Sequence, residues 1–291
     1  PMSEAQWMVE FDKYKMIPEF QAENPDINLA GFKFIYFMEW SHRQLGRLIG
    51  LAYLIPFLIF AGLKKLEPGK GFRFLSIFLL ICIQGAIGWW MVSSGLAHGR
   101  VDVTQYRLAT HLALAFFILG LLFWTWRDQK QGWPVSDINP KLRFRTSFLA
   151  SLVFLQVIAG AFVAGTHAGR SYNTWPLMDG GFIPGGYLAM SPTWINMFEN
   201  VATIQFNHRI LGYLVLIVAL LVALAARKLK YRRVMVPMIW LLGLVTTQII
   251  LGIVALLKHV ELPFALAHQA GAIFVFLSAV ALMRSARIRS F

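Results

Sequence analysis

The chain has 291 residues, 57% of them hydrophobic and 14% charged, with a formal net charge of +13. Its apolar residues fall in blocks of about 20, the length that crosses the roughly 30 Å hydrocarbon layer of a bilayer as a helix. This composition excludes a water-soluble globular domain and points to a polytopic, all-α membrane protein.

Residues 1–33 have a net charge of −3 and precede a first span near 34–62, which opens on "YFMEWSHRQLGRLIG" with Glu39, His42, Arg43 and Arg47 in its first turns. Segment 63–73 is +3. A second span near 72–94 contains the single cysteine, Cys82, expected as a small buried core residue; one cysteine excludes an intrachain disulfide or a Cys-based metal cluster. Segment 95–104 is neutral and leads into a third span near 105–126, with Arg107 and His111 close to its start. Segment 127–145 is +3, a fourth span follows near 144–166, and 165–202 is −1. The fifth span, near 203–226, starts with His208 and Arg209; "RKLKYRR" (227–233) is +5; the sixth and seventh lie near 234–257 and 264–284, separated by a neutral turn, and His268 opens the last. The tail 284–289 is +3. Basic segments alternate with neutral or acidic ones, the pattern of cytoplasmic or matrix loops against outer loops, so the charge sets orientation and calls for no nucleic acid. The first segment is then outside.

Comparing the chain with itself reveals a duplication. "WSHRQLGRLIG" (40–50) aligns with "FNHRILGYLVL" (206–216); Gln84-x-x-x-Gly88 follows the first, Gln248-x-x-x-Gly252 the second, and then come His111 and His268. A third Gln-x-x-x-Gly, at Gln156 and Gly160, reads as helix packing by small residues spaced four apart. The second half has one more helix before its His-Arg helix than the first, so the duplication predicts a four-plus-four arrangement with a helix ahead of residue 1. The halves are an N-terminal one over 1–126 and a C-terminal four-helix one over 144–291, joined by a basic linker, 127–143.

Four histidines in register, on helices that descend from the same side, call for chemistry that uses paired imidazoles. His98, His167 and His259 fall in outer loops as solvated or capping side chains. Ionisable groups inside spans are costly enough to be functional candidates. Haem iron takes two axial nitrogens from opposite sides in an apolar slot; zinc or copper would want a third or fourth ligand, and apart from Glu39 the spans offer none. Arg43, Arg47, Arg107 and Arg209 suit propionates at the porphyrin edge, although arginines snorkelling from helix ends give the same pattern. Glu39, aligned with Gln205, breaks the symmetry: a carboxyl beside one site only can move protons there, or can simply pair with Arg43.

"EWSHRQLGRLIG", "QYRLATHLALA", "YNTWPLMDGGFIP", "QFNHRILGYL" and "LAHQAGAIFVF" together resemble the haem A synthase family of the mitochondrial and proteobacterial type, over nearly the whole chain. The resemblance implies eight helices in two four-helix halves and oxidation of a methyl group of haem O to the formyl group of haem A for cytochrome oxidase. It implies His208 and His268 as ligands of a haem b cofactor, His42 and His111 flanking the substrate haem, and Glu39 as catalytic. It further implies lipid-borne haem O and haem A, an electron donor of ferredoxin-like or quinol type, and haem O synthase and oxidase assembly factors as partners. A homo-oligomer, and a bacterial plasma membrane or mitochondrial inner membrane with haem sites near the periplasmic or intermembrane-space side, fit the same picture. The cysteine pairs that some bacterial relatives carry in outer loops are absent here. Two alternatives stay open: a di-haem electron-transfer protein similar to a cytochrome b, and a transporter on a duplicated bundle, which would place polar residues near the midplane.

Overall fold

The computed structural model describes residues 1–95, 101–131, 139–228 and 232–287. His98, residues 132–138 and 229–231 of the basic segments, and Arg289 lie outside the described residues. Among these residues there are ten α-helices and no β-strand: α1 (Glu4–Lys15), α2 (Pro18–Glu23), α3 (Leu29–Gly62), α4 (Gly71–Gly95), α5 (Gln105–Gln131), α6 (Pro140–Gly165), α7 (Asn196–Glu199), α8 (Val201–Lys228), α9 (Arg232–Leu257) and α10 (Leu262–Ser285). Seven of them, α3 to α6 and α8 to α10, are long and apolar enough to cross a membrane. Their bounds lie within five residues of those read from hydropathy, because where no water can pair with backbone amides the chain must satisfy them internally, and a helix does so. The chain divides into two compact units, 1–107 and 108–291.

In the first unit, α3 begins five residues before the apolar block. Asn28 caps it, its Oδ1 accepting from Gly31 N at 2.9 Å. His42 therefore stands roughly in the fourth turn rather than the first. The extension is sheathed by aromatic rings. Phe32, 4% exposed, stacks on Phe11 with ring centres 5.1 Å apart, while Trp7 meets Tyr36 edge to face and Tyr14 meets Phe20 in the same way. α1 is held by a capping box in which Ser3 Oγ accepts from Gln6 N and Gln6 Oε1 accepts from Ser3 N. Within this cover Tyr14 Oη donates to Glu19 Oε1 and accepts from Asn24 Nδ2. Cys82 is exposed on α4 instead of buried. A thiol meets no penalty at a lipid-facing surface, since acyl chains are as apolar as a protein core.

In the second unit α6, α8, α9 and α10 close into a ring, α6 on α8, α8 on α9, α9 on α10 and α10 on α6. Buried Val215, Ala219, Val222 and Ala226 on α8, and Val234, Met238, Leu241 and Val245 on α9, recur every three or four residues, the spacing of a packed helix seam. This core occupies the end of the bundle near the basic segments. From Leu108 onward α5 joins the second unit: Phe116 packs edge to face on Phe276, and Gly120 lets the same ring approach its backbone. Arg284, counted from sequence in the +3 tail, is fully buried, its Nε donating to Asp128 Oδ1 at 2.8 Å with neither side chain exposed. With water excluded, pairing is what makes either charge tolerable there.

Two outcomes follow from these contacts. Replacing Arg284 by alanine strands a buried carboxylate and should cost about 3–5 kcal/mol in detergent unfolding, whereas replacing Asp128 and Arg284 together by leucine and methionine should recover most of that loss. Burial, opposed by the Tyr14 hydrogen bond and assisted by Glu39, Asp102 and Glu23, raises the Glu19 carboxyl above its ordinary range. The folded cap thus binds a proton more readily than the unfolded one, and its stability falls as pH rises from the ordinary carboxylate range through the raised value. Protection factors of the α1 and α2 amides, which divide out the intrinsic pH dependence of exchange, should be higher at pH 4 than at pH 7, and Glu19→Gln should remove that difference.

Candidate functional site

His208 and His268 lie within the first three turns of α8 and α10, at the end of the ring away from the packed core. α8 and α10 are not neighbours in the ring; they face each other across it. In both rings Nδ1 is buried with no hydrogen-bond partner.

The intervening helices hold each histidine in the same way. On α6, Gln156 Nε2 donates to His208 O at 3.1 Å and lies 3.3 Å from His208 Nε2; a Cβ added to Gly160, one turn on, would sit 3.2 Å from His208 Cε1. On α9, Gln248 Nε2 donates to His268 O at 2.7 Å, and a Cβ at Gly252 would sit 2.9 Å from His268 Cε1. The glutamine amides rest in notches on the histidine helices. A Cβ at Gly212 would lie 3.4 Å from Gln156 Nε2, and one at Gly271 would run into Gln248 Oε1.

The long connection from α6 to α8 folds over this end. Asn173 Nδ2 donates to Gly169 O and to Leu256 O at the end of α9, Trp175 Nε1 donates to Tyr213 Oη at 2.9 Å, and Met178 is 2% exposed. Arg209 Nη1 donates to Thr174 O, and its Nη2 to Tyr172 O and Gln205 Oε1. Gln205 is buried and donates from Nε2 to Ala168 O at 2.8 Å. The pair next to His208 thus fastens the loop. His167 and His259 are exposed in the turns that leave α6 and α9.

In the first unit the aligned pair behaves differently. Arg43 Nη1 lies 3.1 Å from Glu39 Oε2, and the two side chains are 50% and 62% exposed. Arg47 Nη1 donates to Gln44 Oε1, and Arg107 Nη1 to Trp90 O and Ser93 Oγ, with the guanidinium 4.4 Å above the Trp90 ring. Glu39 and Asp102 both lie within electrostatic reach of Glu19. His42 belongs to the first unit and His111, on α5, to the second.

Sequence reasoning found the histidines and arginines and missed what holds them. Gln156, Gly160, Gln248 and Gly252 were visible as a repeated pattern, but spacing within one helix does not say which side chain on another helix it packs against. Asn173 carried no signal beyond its place in the "YNTWPLMDGGFIP" stretch.

Fold and site together define a polytopic helical membrane protein whose C-terminal bundle carries, at one end, two histidines on helices that are not neighbours in the ring, each packed on a glycine of the helix between. The chain belongs to the COX15-CtaA family, the cytochrome oxidase assembly proteins, whose model matches residues 1–280, and with it to the haem A synthases. It is 48% identical over 289 residues to the heme A synthase of Maricaulis maris, covering 99% of this chain and 84% of that protein. It is 46% identical over 277 residues to that of Parvibaculum lavamentivorans (95% and 79%), and 44% identical over 292 residues to that of Bradyrhizobium diazoefficiens (100% and 80%).

Arg209→Lys keeps the charge and loses the planar fork that reaches two loop carbonyls and Gln205. Limited proteolysis between Tyr172 and Pro184 should then be faster than in the wild type.

Proposed function

We propose that this chain oxidises a methyl group of haem O to a formyl group, giving haem A, with a haem b cofactor held by His208 and His268 and the substrate haem flanked by His42 and His111. The observation that carries the cofactor reading is the arrangement of the second unit: two imidazoles on helices that face each other across a closed ring, each with a buried, unpartnered Nδ1 and each seated on a glycine. A flat, apolar macrocycle with an axial nitrogen on either side fits that donor set. Among the described residues no three His, Cys, Asp or Glu side chains gather into a cluster, which favours haem over a bare ion.

A bound haem supplies the redox chemistry that no side chain has, since a methyl C–H is inert to protein acids and bases. In the substrate, two successive hydroxylations followed by loss of water convert methyl to formyl; each would take one oxygen atom from O2, the other leaving as water with two protons and two electrons from a donor of ferredoxin-like or quinol type. The chain's own part is to bind, orient and protonate. His208 and His268 grip one haem, His42 and His111 the other, and Glu39 takes or gives a proton at its carboxyl oxygens. Arg43, Arg47 and Arg107, with Arg209 at the fastened loop, supply positive charge for propionates. The difference between Glu39, half-exposed beside Arg43, and Gln205, buried and tied to loop carbonyls, supports chemistry in the first half and a fixed cofactor in the second. This asymmetry favours an enzyme over a cytochrome b-like wire. The bilayer is a bacterial plasma membrane or a mitochondrial inner membrane, with both haem sites on its outer side, consistent with the charge alternation.

Absorption spectra and haem extraction test the reading. Wild type should yield haem b together with haem O or haem A; His268→Ala should lose the haem b, and His42→Ala should be depleted in haem O and haem A. Glu39→Gln should keep its haem and lose about 10²-fold or more in turnover, the range of a positioned acid or base. Two equivalent haem b groups lost in parallel, and no haem A formed when haem O is supplied, would establish the electron-transfer protein instead.

A further inference from the structure

We propose that Gln156 with Gly160, and Gln248 with Gly252, are positioning pairs that set the ring orientation of His208 and His268; this rests on the reading of those two histidines as haem ligands. Three observations lead there. First, the contact is made twice, on different helices: a glutamine amide donates to the histidine's own carbonyl, and the glycine four residues later faces the imidazole Cε1. Second, the fit is reciprocal. Gly212 and Gly271 on the histidine helices make room for the amides, so each helix of a pair gives up a side chain where the other inserts one. Third, the glycines do not serve as a generic small-residue seam. In such a seam the missing Cβ atoms let two backbones approach, whereas here the nearest atoms to the missing Cβ belong to the imidazole ring.

The physics of the site explains why such a device is needed. A helix carbonyl has two lone pairs and gives one to the helix ladder, so the amide can take the second without breaking a turn. That bond fixes the helix-to-helix register at the level of the ligand. The absent Cβ then fixes how close the ring comes to α6 or α9. The plane of the ring then follows from packing. Ring plane and basicity of an axial imidazole set the electronic state of the metal it binds, and partners one step removed from a metal commonly change affinity 10- to 100-fold. The same Gln-x-x-x-Gly spacing occurs at Gln84 and Gly88, one helix before His111 in the sequence.

The test uses the full-length chain purified with its native haem. Gly160→Ala and Gly252→Ala add the Cβ, Gln156→Met and Gln248→Met keep length and volume while removing the donor, and Gly243→Ala is the control, because a Cβ there meets nothing within 4 Å. The readouts are haem b per chain, the low-spin ferric resonance positions and the midpoint potential, with helix content and monodispersity checked for each variant. The glycine variants should show displaced resonances, a shifted potential and haem retention weakened on the order of 10-fold. The methionine variants should show smaller displacements of the same kind, and Gly243→Ala should match wild type. Should a glycine variant fail to fold, the methionine pair decides. If all folded variants have wild-type resonances, potential and haem content, the positioning role is overturned while the haem b assignment stands. A wild-type protein that carries no haem b overturns the assignment itself.

Discussion

In the hydrocarbon layer a polar group can pair only with another part of the protein, and most of this structure answers to that constraint. It makes the backbone helical in all seven spans. It also decides which polar side chains the spans can contain. Asp128 and Arg284 are tolerated because each neutralises the other at full burial. Nε2 of Gln156 and of Gln248 is received by a histidine carbonyl, while Oε1 of both is buried without a partner. His208 and His268 do not meet the condition with protein atoms, since Nδ1 of both is buried and unpartnered.

The C-terminal bundle divides its labour along its length. Near the basic segments, valine, alanine, leucine and methionine interlock at seam spacing and supply rigidity. Toward the other end the seam gives way to histidine, glutamine and glycine. There the loop between α6 and α8 is fastened by Asn173 to α9 and by Arg209, Gln205 and Tyr213 to α8. The histidine end thus lies between the packed core and the fastened loop.

Duplication preserves geometry more faithfully than chemistry. Glu39 with Arg43 and Gln205 with Arg209 make the same contact one helical turn apart. In the second half the pair is absorbed into holding a loop. In the first it remains at the surface of a helix covered by Trp7, Phe11 and Tyr14 of α1. One ancestral contact thus serves as a fastener in one half and leaves an ionisable carboxyl in the other.

The seven spans, the internal repeat and the histidine set were all legible in the sequence, because the length of an apolar block and the spacing of rare polar residues are properties of one helix at a time. Local signals also reached the family, through motifs spread over nearly the whole chain. They misjudged what depends on neighbours. Arg284 counted as one charge of a basic tail until α5 supplied Asp128, Cys82 looked buried but lies exposed, and α3 runs five residues past its apolar block where α1 packs on it. Gln156 and Gln248 looked like ordinary packing residues until the ring of four helices brought them onto the histidines. Covalent order along a helix determines which face a residue occupies; only the meeting of two faces determines what that residue is for.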